Sequence, residues 1–348
     1  MKIRSSPEER ENLRHKIDRL LRKEGKEGWE MAKDTMLNNK TENRQLHEAI
    51  RYVMLKSSPD YFRPAILSFC SKITDGTSEV TIPCGASLVL FARAIGIHDD
   101  IIDQSRTKNQ QTTVLGAFGK AMALILSDVL LFKGFTLLRK MLEIGVPNEK
   151  IVRIFETIEE VWFEQSQGEV LEVSSQGKHN MNLEECLRKI KMRASEMEAI
   201  TRIGAILGSG SRYQIEALGE YGRLFGVASI IRDELIDMLD FRSLRHRIRK
   251  ESLPLPLIFA LQNPRIKSEL LPLLTMKRRL LKGDLLRISR LAETAGGLSF
   301  ASAHIEDVIE KAHTQIDMFG DKESIYALRL LGNSLFLDPE EWKHHIDD

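Results

Sequence analysis

The sequence predicts an all-α protein folded as one large helical bundle, and three observations predict it. Apolar residues recur at i, i+3, i+4 and i+7 along nearly the whole chain, which is the repeat of one helix face. Runs that alternate apolar and polar residues, the mark of half-buried strands, are scarce. No linker rich in Gly, Ser or Pro and no shift in composition divides the 348 residues, so the expectation is a single domain over 1–348 instead of the two that length alone suggests.

Taken in order, Ser6-Pro7-Glu8 opens a first, charged helix, with Pro7 suited to an early helical position. Residues 1–40 are expected to form a peripheral N-terminal helix. Asn43 to Leu55 reads as a second helix, and Pro59 and Pro64 bracket the turn into a third. Pro83 to Ile102 is long and apolar and ends in acidic residues. Phe118 to Leu142 is apolar nearly all round, which predicts a place inside the bundle. Asn148 to Val173 and Leu183 to Leu207 are amphipathic. Ile215 to Leu239 is long, apolar in its first half and acidic near its end. Pro254, Pro256 and Pro264 break the pattern, and helices resume over Leu280 to Thr294, Ala301 to Met318 and Lys322 to Leu335, with 336–348 expected as a frayed tail. The total, about ten to twelve helices, is what a large bundle needs.

Hydrophobic residues make up 42% of the chain, enough for a continuous core. The 51 Lys and Arg nearly cancel the 50 Asp and Glu, so no net field marks a binder of nucleic acid or another polyanion. Cys70, Cys84 and Cys186 are odd in number, scattered and without metal-ligand spacing, as expected of reduced thiols in a cytosolic protein. Met1 to Lys26 carries no apolar run of the signal-peptide type, and no stretch reaches the ~18 uninterrupted apolar residues of a membrane span. A soluble, cytoplasmic protein is the expectation.

Two acidic clusters carry the chemistry. In His98-Asp99-Asp100-Ile101-Ile102-Asp103, helical spacing puts Asp99 and Asp103 on one face with Asp100 beside them. Arg232-Asp233-Glu234-Leu235-Ile236-Asp237 repeats the geometry. Both clusters lie near the C-terminal end of an apolar helix, where a negative side chain opposes the macrodipole at ~0.3–1 kcal/mol each. Carboxylates crowded into one turn also repel one another. A divalent cation removes both penalties, and an oxygen-only donor set suits Mg²⁺. One such cluster reads equally well as a solvated helix end; two matching clusters, each on an apolar helix, read as a metal site.

These motifs resemble those of the trans-isoprenyl diphosphate (polyprenyl) synthases, whose two aspartate-rich motifs they match. Other landmarks fall in order between residues 45 and 335: Arg63-Pro64, Phe118-Gly119-Lys120 with Ser127-Asp128, Gly168-Glu169-Val170-Leu171-Glu172, Lys250-Glu251-Ser252-Leu253-Pro254 and Ala295-Gly296-Gly297. The resemblance implies a helical bundle of the isoprenoid synthase type with a central apolar cavity. It also implies an Mg²⁺-dependent prenyltransferase, with three ions held by Asp99, Asp100, Asp103, Asp233, Glu234 and Asp237 around the diphosphate of an allylic prenyl diphosphate. Asp99, Asp103, Asp233, Arg193 and Lys250 are the implied catalytic residues. Arg63, Arg106, Lys108, Arg193 and Lys250 are implied to bind diphosphate. The allylic cation formed when diphosphate departs would be attacked by isopentenyl diphosphate, lengthening the chain by one unit, in a dry cavity. A homodimer or heteromer is the expected assembly.

The departures from the family gather on one side. Asp60 stands in the place of a lysine, Ala92 in that of a diphosphate-binding histidine and Asn109 in that of an arginine, all at the isopentenyl diphosphate site. Only Arg63 remains of that set, and Lys56 and Lys72 are the nearest candidates to compensate. Ala194 replaces a threonine and Ile230 a glutamine. An anion beside a diphosphate weakens binding by several kcal/mol in a partly dehydrated site. Chain elongation is the favoured reading; ionisation of a prenyl diphosphate without isopentenyl diphosphate, as in terpene-synthase-like relatives, and a low-activity subunit of a heteromer are the alternatives. An aromatic content of 6% weighs against a cyclase.

If the chain elongates prenyl groups, Ala94, Ile95 and Phe91 are expected to line the product tunnel below Asp99, about 1.5 Å deeper per residue. In the resembled family small residues here go with longer products, so Ala94 suggests geranylgeranyl length or more, with Phe91 as a deeper stop. His98 reads as a hydrogen-bonding orienter and stays outside the catalytic set. The basic run from Arg242 to Lys250 reads as a mobile loop facing phosphate.

Overall fold

A computed structural model describes residues 7–108, 111–179, 181–320 and 322–336. Its helices are α1 (Pro7–Leu37), α2 (Arg44–Leu55), α3 (Phe62–Ile73), α4 (Ile82–Ile102), α5 (Val114–Leu138), α6 (Lys140–Glu143), α7 (Asn148–Ser175) and α8 (Leu183–Arg193). They continue as α9 (Ser195–Leu207), α10 (Arg212–Leu239), α11 (Phe241–Lys250), α12 (Leu255–Ala260), α13 (Pro264–Leu274), α14 (Lys282–Thr294), α15 (Gly297–Ile316) and α16 (Glu323–Ser334). The sheet among the described residues is one antiparallel pair, β1 (Thr107–Lys108) and β2 (Gln111–Thr112), with Thr107 opposite Thr112.

Local chemistry starts many of these helices. The Asn43 side chain accepts from the Leu46 N–H at 3.0 Å. Asn182 and Glu185 form a reciprocal capping box at α8, and Ser211 and Gln214 form another at α10. Packing then orders them. α4 lies between two apolar cores: Leu88 and Phe91 join the larger one, built mainly on α3 and α8–α16, while Val89, Leu90, Ala94 and Ile97 join one shared with α1, α2 and α5. α10 runs against α8, α9, α11 and α15. The two helices that end in acidic clusters are thus central struts, and their ends are fixed by the cores around them.

Several expectations change. α1 is not wholly peripheral, because Trp29, Ala32 and Met36 in its second half are buried. Leu183 to Leu207 is two helices, parted at Ala194. The basic run from Arg242 to Lys250 is the helix α11, not a loop: Asp240 caps it by accepting from the Ser243 N–H at 2.8 Å, and its basic last turn suits the helix dipole. Short helices such as α6, α12 and α13 raise the number above the expected ten to twelve.

The stretch expected inside the bundle starts earlier, at Val114, bends at Gly119 (φ 79°), and is only half covered. Leu124, Ile125, Phe132 and Phe135 face outward, Phe132 being 75% exposed. α7 adds Val152, Phe155, Trp162 and Phe163 to the exposed apolar residues. By length and composition alone the stretches 79–102 and 114–143 are apolar enough to cross a membrane, although charged residues interrupt both; 67% of the apolar window of the first is buried in this fold and 39% of that of the second. All-round apolarity predicted cover for α5, and one side of it has none among the described residues. Residues 337–348 of the expected tail lie outside the described residues, as does Asn109.

Candidate active site

The first acidic cluster sits where α4 stops. The Asp103 backbone N–H closes the last turn onto the Asp99 carbonyl at 2.8 Å, so Asp99 and Asp103 share a face by helix geometry. Burial pushes all three carboxyls up: Asp100 to about 6, and Asp103 to about 8 with Glu251 and Asp99 adding repulsion. Asp99 is raised by burial and restrained by Arg193 and Lys108.

The second cluster divides. Asp233 is open, its side chain 70% exposed. Asp237 accepts from Arg247 Nε at 2.7 Å. Glu234 is fully buried and already committed, one oxygen accepting from the Leu255 N–H at 2.7 Å and the other from Arg247 Nη1 at 3.3 Å. That corrects its expected place among open metal ligands: it satisfies a first-turn amide of α12, which has no partner within its own helix. Burial raises the carboxyls of Asp99, Asp103, Asp233 and Asp237; Lys108 restrains the rise at both Asp99 and Asp233, and Glu251 adds to it at both Asp103 and Asp237, so both clusters border one groove. Among the described residues no three His, Cys, Asp or Glu side chains meet closely enough to hold one ion alone. The donor set fits Mg²⁺ only in the way that ion is usually held, by one or two carboxylates with water and substrate oxygens.

α11 ties the groove together. Arg247 on one side reaches Asp237 and Glu234. From the same helix His246 meets Ser105 Oγ at 2.9 Å, Lys250 donates to Gln104 at 2.8 Å and Arg242 donates to Thr107 at 2.8 Å. Lys250 is therefore at the groove, held to the segment that follows Asp103. Arg106 and Lys108 lie exposed on that segment. Arg193 stands 3.7 Å from Glu169 and 3.8 Å from Glu172. Behind it, fully buried Lys189 donates to Glu172 at 2.7 Å, and the Ser252 hydroxyl donates to the same carboxylate at 2.8 Å. Burial would raise Glu172, but Lys189 and then Arg193 hold it down at about 2.

A pocket of about 530 Å³ opens beside Asp100. Asp60, Arg63, Ala92, Arg93 and Lys108 line it, so the acceptor positions picked out in the sequence do converge. Arg63, however, is not free: Nε donates to Glu196 at 2.6 Å and Nη1 to Asp60 at 2.7 Å. Burial disfavours its charge, yet Glu196 and Asp60 hold its pKa well above the usual value. Lys72 does not compensate here, since it is bound to Glu24 at 2.6 Å. Lys56 lies over the Tyr52 ring, 5.4 Å from its centre. Arg93, one position past Ala92, supplies the cation that sequence reading missed. It donates to the Ser58 carbonyl at 2.5 Å and covers the Trp29 ring at 5.4 Å. Nothing local in the sequence couples Glu196 to Arg63, because the contact joins α9 to α3.

The three tunnel residues separate. Ala94 is buried in the core facing α1, α2 and α5, Ile95 is half-buried, and Phe91 enters the larger core. Phe91 packs on Phe135 at 4.8 Å between ring centres, and Gly134 makes room for it: a Cβ there would lie 2.5 Å from the Phe91 ring. His98 shares a hydrogen bond with Ser127 Oγ at 2.7 Å, the orienting contact expected of it.

Known proteins share this arrangement of helices. Residues 43–284 match the polyprenyl synthetase family. The geranylgeranyl diphosphate synthase of Methanosarcina mazei is 27% identical over 201 residues, 57% of this chain and 60% of that protein. The geranylfarnesyl diphosphate synthase of Aeropyrum pernix is 24% identical over 289 residues, 80% of this chain and 90% of that protein. The match spans only 60% and 58% of the lengths of the geranylgeranyl diphosphate synthases of M. mazei and Sulfolobus acidocaldarius. A crystal structure of geranylgeranyl pyrophosphate synthetase from Pyrococcus horikoshii superposes with a TM-score of 0.83 at 23% identity, covering 93% of this chain and 99% of that one. The fold is the all-α isoprenoid synthase fold. With its pattern matched over more than half of the sequence, the chain belongs to the polyprenyl synthetase family.

Proposed function

We propose that this chain is an Mg²⁺-dependent prenyltransferase that ionises an allylic prenyl diphosphate in the groove between α4 and α10. The observation that carries the reading is the crowd of carboxylates at the end of α4, where burial pushes Asp100 up to about 6, and burial with the neighbouring carboxylates pushes Asp103 up to about 8. Asp99, Asp100 and Asp103 on one wall and Asp233 and Asp237 on the other would hold the ions, Asp237 after exchange with Arg247. Bound Mg²⁺ would supply charge neutralisation for a departing diphosphate. Arg193, Lys250, Lys108 and Arg106 would hold the diphosphate oxygens. The apolar walls would keep water from the allylic cation, with Phe91 as a floor. The exposed apolar faces of α5 and α7 would be covered by a second copy of the chain or a related subunit.

In the first reading the acceptor is isopentenyl diphosphate and the product a longer polyprenyl diphosphate. The relatives, geranylgeranyl and geranylfarnesyl diphosphate synthases, favour it. A second reading, ionisation without isopentenyl diphosphate, is favoured by the double engagement of Arg63 with Asp60 and Glu196. The test common to both is release of diphosphate from geranylgeranyl diphosphate, and from shorter allylic donors, with and without Mg²⁺. Release that needs Mg²⁺ supports the proposal, and no release under any condition refutes it.

A further inference from the structure

The pocket beside Asp100 carries little net charge, which is the wrong property for a diphosphate. Its wall holds three cations, Arg63, Arg93 and Lys108, and two carboxylates, Asp60 and Asp100. Glu196 adds a third carboxylate through its 2.6 Å bond to Arg63, so these six charges cancel, and with Asp100 given to Mg²⁺ a single positive charge is left over. Asp60 is held in place twice, accepting from the Arg63 backbone N–H at 3.3 Å as well as from its guanidinium. A diphosphate entering here would have to pull Arg63 from both carboxylates and then lie beside them. Between the charges the wall is uncharged, with the hydrogen-bonding Ser57, Ser58, Gln111 and Thr112 beside the apolar Val53 and Ile97. At about 530 Å³ the pocket also holds far more than one water, whose share of liquid volume is roughly 30 Å³.

We propose that this pocket takes an uncharged, hydroxyl-bearing acceptor, and that Asp60 and Glu196 are the residues that turn diphosphates away. The inference rests on the second reading above and names the acceptor that reading leaves open. The chemistry balances without a redox partner. The bond between prenyl C1 and the diphosphate oxygen breaks, and its electron pair leaves with diphosphate. A lone pair of the acceptor hydroxyl forms the new C1–O bond, and the hydroxyl proton passes to the released diphosphate. The product is a prenyl ether.

The experiment uses the full chain with Mg²⁺ and geranylgeranyl diphosphate, offered glycerol, butan-1-ol or radiolabelled isopentenyl diphosphate. Calorimetric titration with isopentenyl diphosphate runs beside it, on the native chain and on the Asp60→Asn/Glu196→Gln variant, whose near-isosteric changes are checked by thermal melting. The expected result is a prenyl ether with glycerol, no labelled longer diphosphate, and isopentenyl diphosphate binding at least tenfold tighter in the variant. Labelled longer diphosphates from the native chain, or equal binding by both proteins, would overturn the proposal. Diphosphate release that yields only a diene or prenyl alcohol, whatever acceptor is offered, overturns the acceptor class while leaving donor ionisation standing. If no donor is ionised, that donor reading has failed by itself, and the calorimetric difference still decides whether Asp60 and Glu196 exclude diphosphates.

Discussion

The wall of the groove near Asp99 and the pocket behind it treat charge in opposite ways. At the end of α4 three carboxylates crowd together and burial drives their pKa values up. A few residues away opposite charges are paired, with Arg63 clamped by Asp60 and Glu196. Unsatisfied charge is costly to fold around, so a protein that keeps it leaves the deficit for a ligand to fill. Satisfied charge contributes structure and has little left to offer an anion. Under the proposed function the contrast would give cation-assisted chemistry to the first region and selectivity to the second.

The largest effect that can break this contrast lies at Asp99. Asp99→Ala is expected to lower Mg²⁺-dependent diphosphate release roughly a thousandfold, the scale of losing a main electrostatic contact to a developing charge. Circular dichroism should show the same helical content, since the substitution removes a like charge from a crowded turn. A variant that keeps full activity would sink the metal-site assignment.

Next in size is a test within the groove itself, where Glu172 is a buried carboxylate with its cation supplied. Lys189→Met takes from buried Glu172 its nearest cation, leaving it Ser252 and the more distant Arg193, and should cost about 3–5 kcal/mol in denaturant unfolding. The pH dependence follows from the same pair. Glu172 is depressed from the ordinary value of 4.5 to about 2 in the fold, so it binds protons more readily when unfolded. Its contribution is fully present above pH 4.5 and drains away as pH falls towards 2. Stability measured over that window should fall less steeply in Lys189→Met than in the native chain; equal slopes would separate Glu172 from its lysine.

What the sequence could reveal follows the same division. The acidic clusters were legible because helical spacing alone aligns Asp99 with Asp103 and Asp233 with Asp237. The basic run from Arg242 to Lys250 was misread, because its value as a helix depends on Asp240 before it and on Glu234 and Asp237, which Arg247 reaches across a turn in the chain. Glu234 matched the motif pattern, yet its oxygens go to Leu255 and Arg247, a use no spacing rule contains. Periodicity likewise said that α5 is covered, but not by what, and one face is bare among the described residues. The clamp on Arg63 was beyond reach, since Glu196 lies 133 positions away.

A smaller effect sharpens the depth of the donor side. Gly134→Ala would set a methyl group 2.5 Å from Phe91 and force that ring or α5 to shift. Overpacking of this kind costs about 1–3 kcal/mol. If Phe91 is the floor of the prenyl channel, the variant should also change the longest donor it ionises, judged from diphosphate release across a series of allylic diphosphates. An unchanged series with a lowered melting point would leave Phe91 as core and no more.

The smallest expected effect decides which cation serves the pocket. Sequence position nominates Lys56, whereas the fold puts Arg93 on the pocket wall and the exposed Lys56 over the ring of Tyr52, a half-buried residue of the same wall. A cation over a ring at an exposed site contributes about 0.5–1 kcal/mol at most, and its lysine stem is free to move. Lys56→Ala should therefore change stability by no more than about 0.5 kcal/mol and leave isopentenyl diphosphate binding as it is in the native chain. Arg93→Ala, measured in the same titration, should weaken whatever anion binding remains, because its guanidinium is one of three cations on that wall. If Lys56→Ala weakens binding and Arg93→Ala does not, the pocket has recruited a flexible surface lysine, and the balance of charge drawn between Arg63, Asp60 and Glu196 is not the one an anion meets.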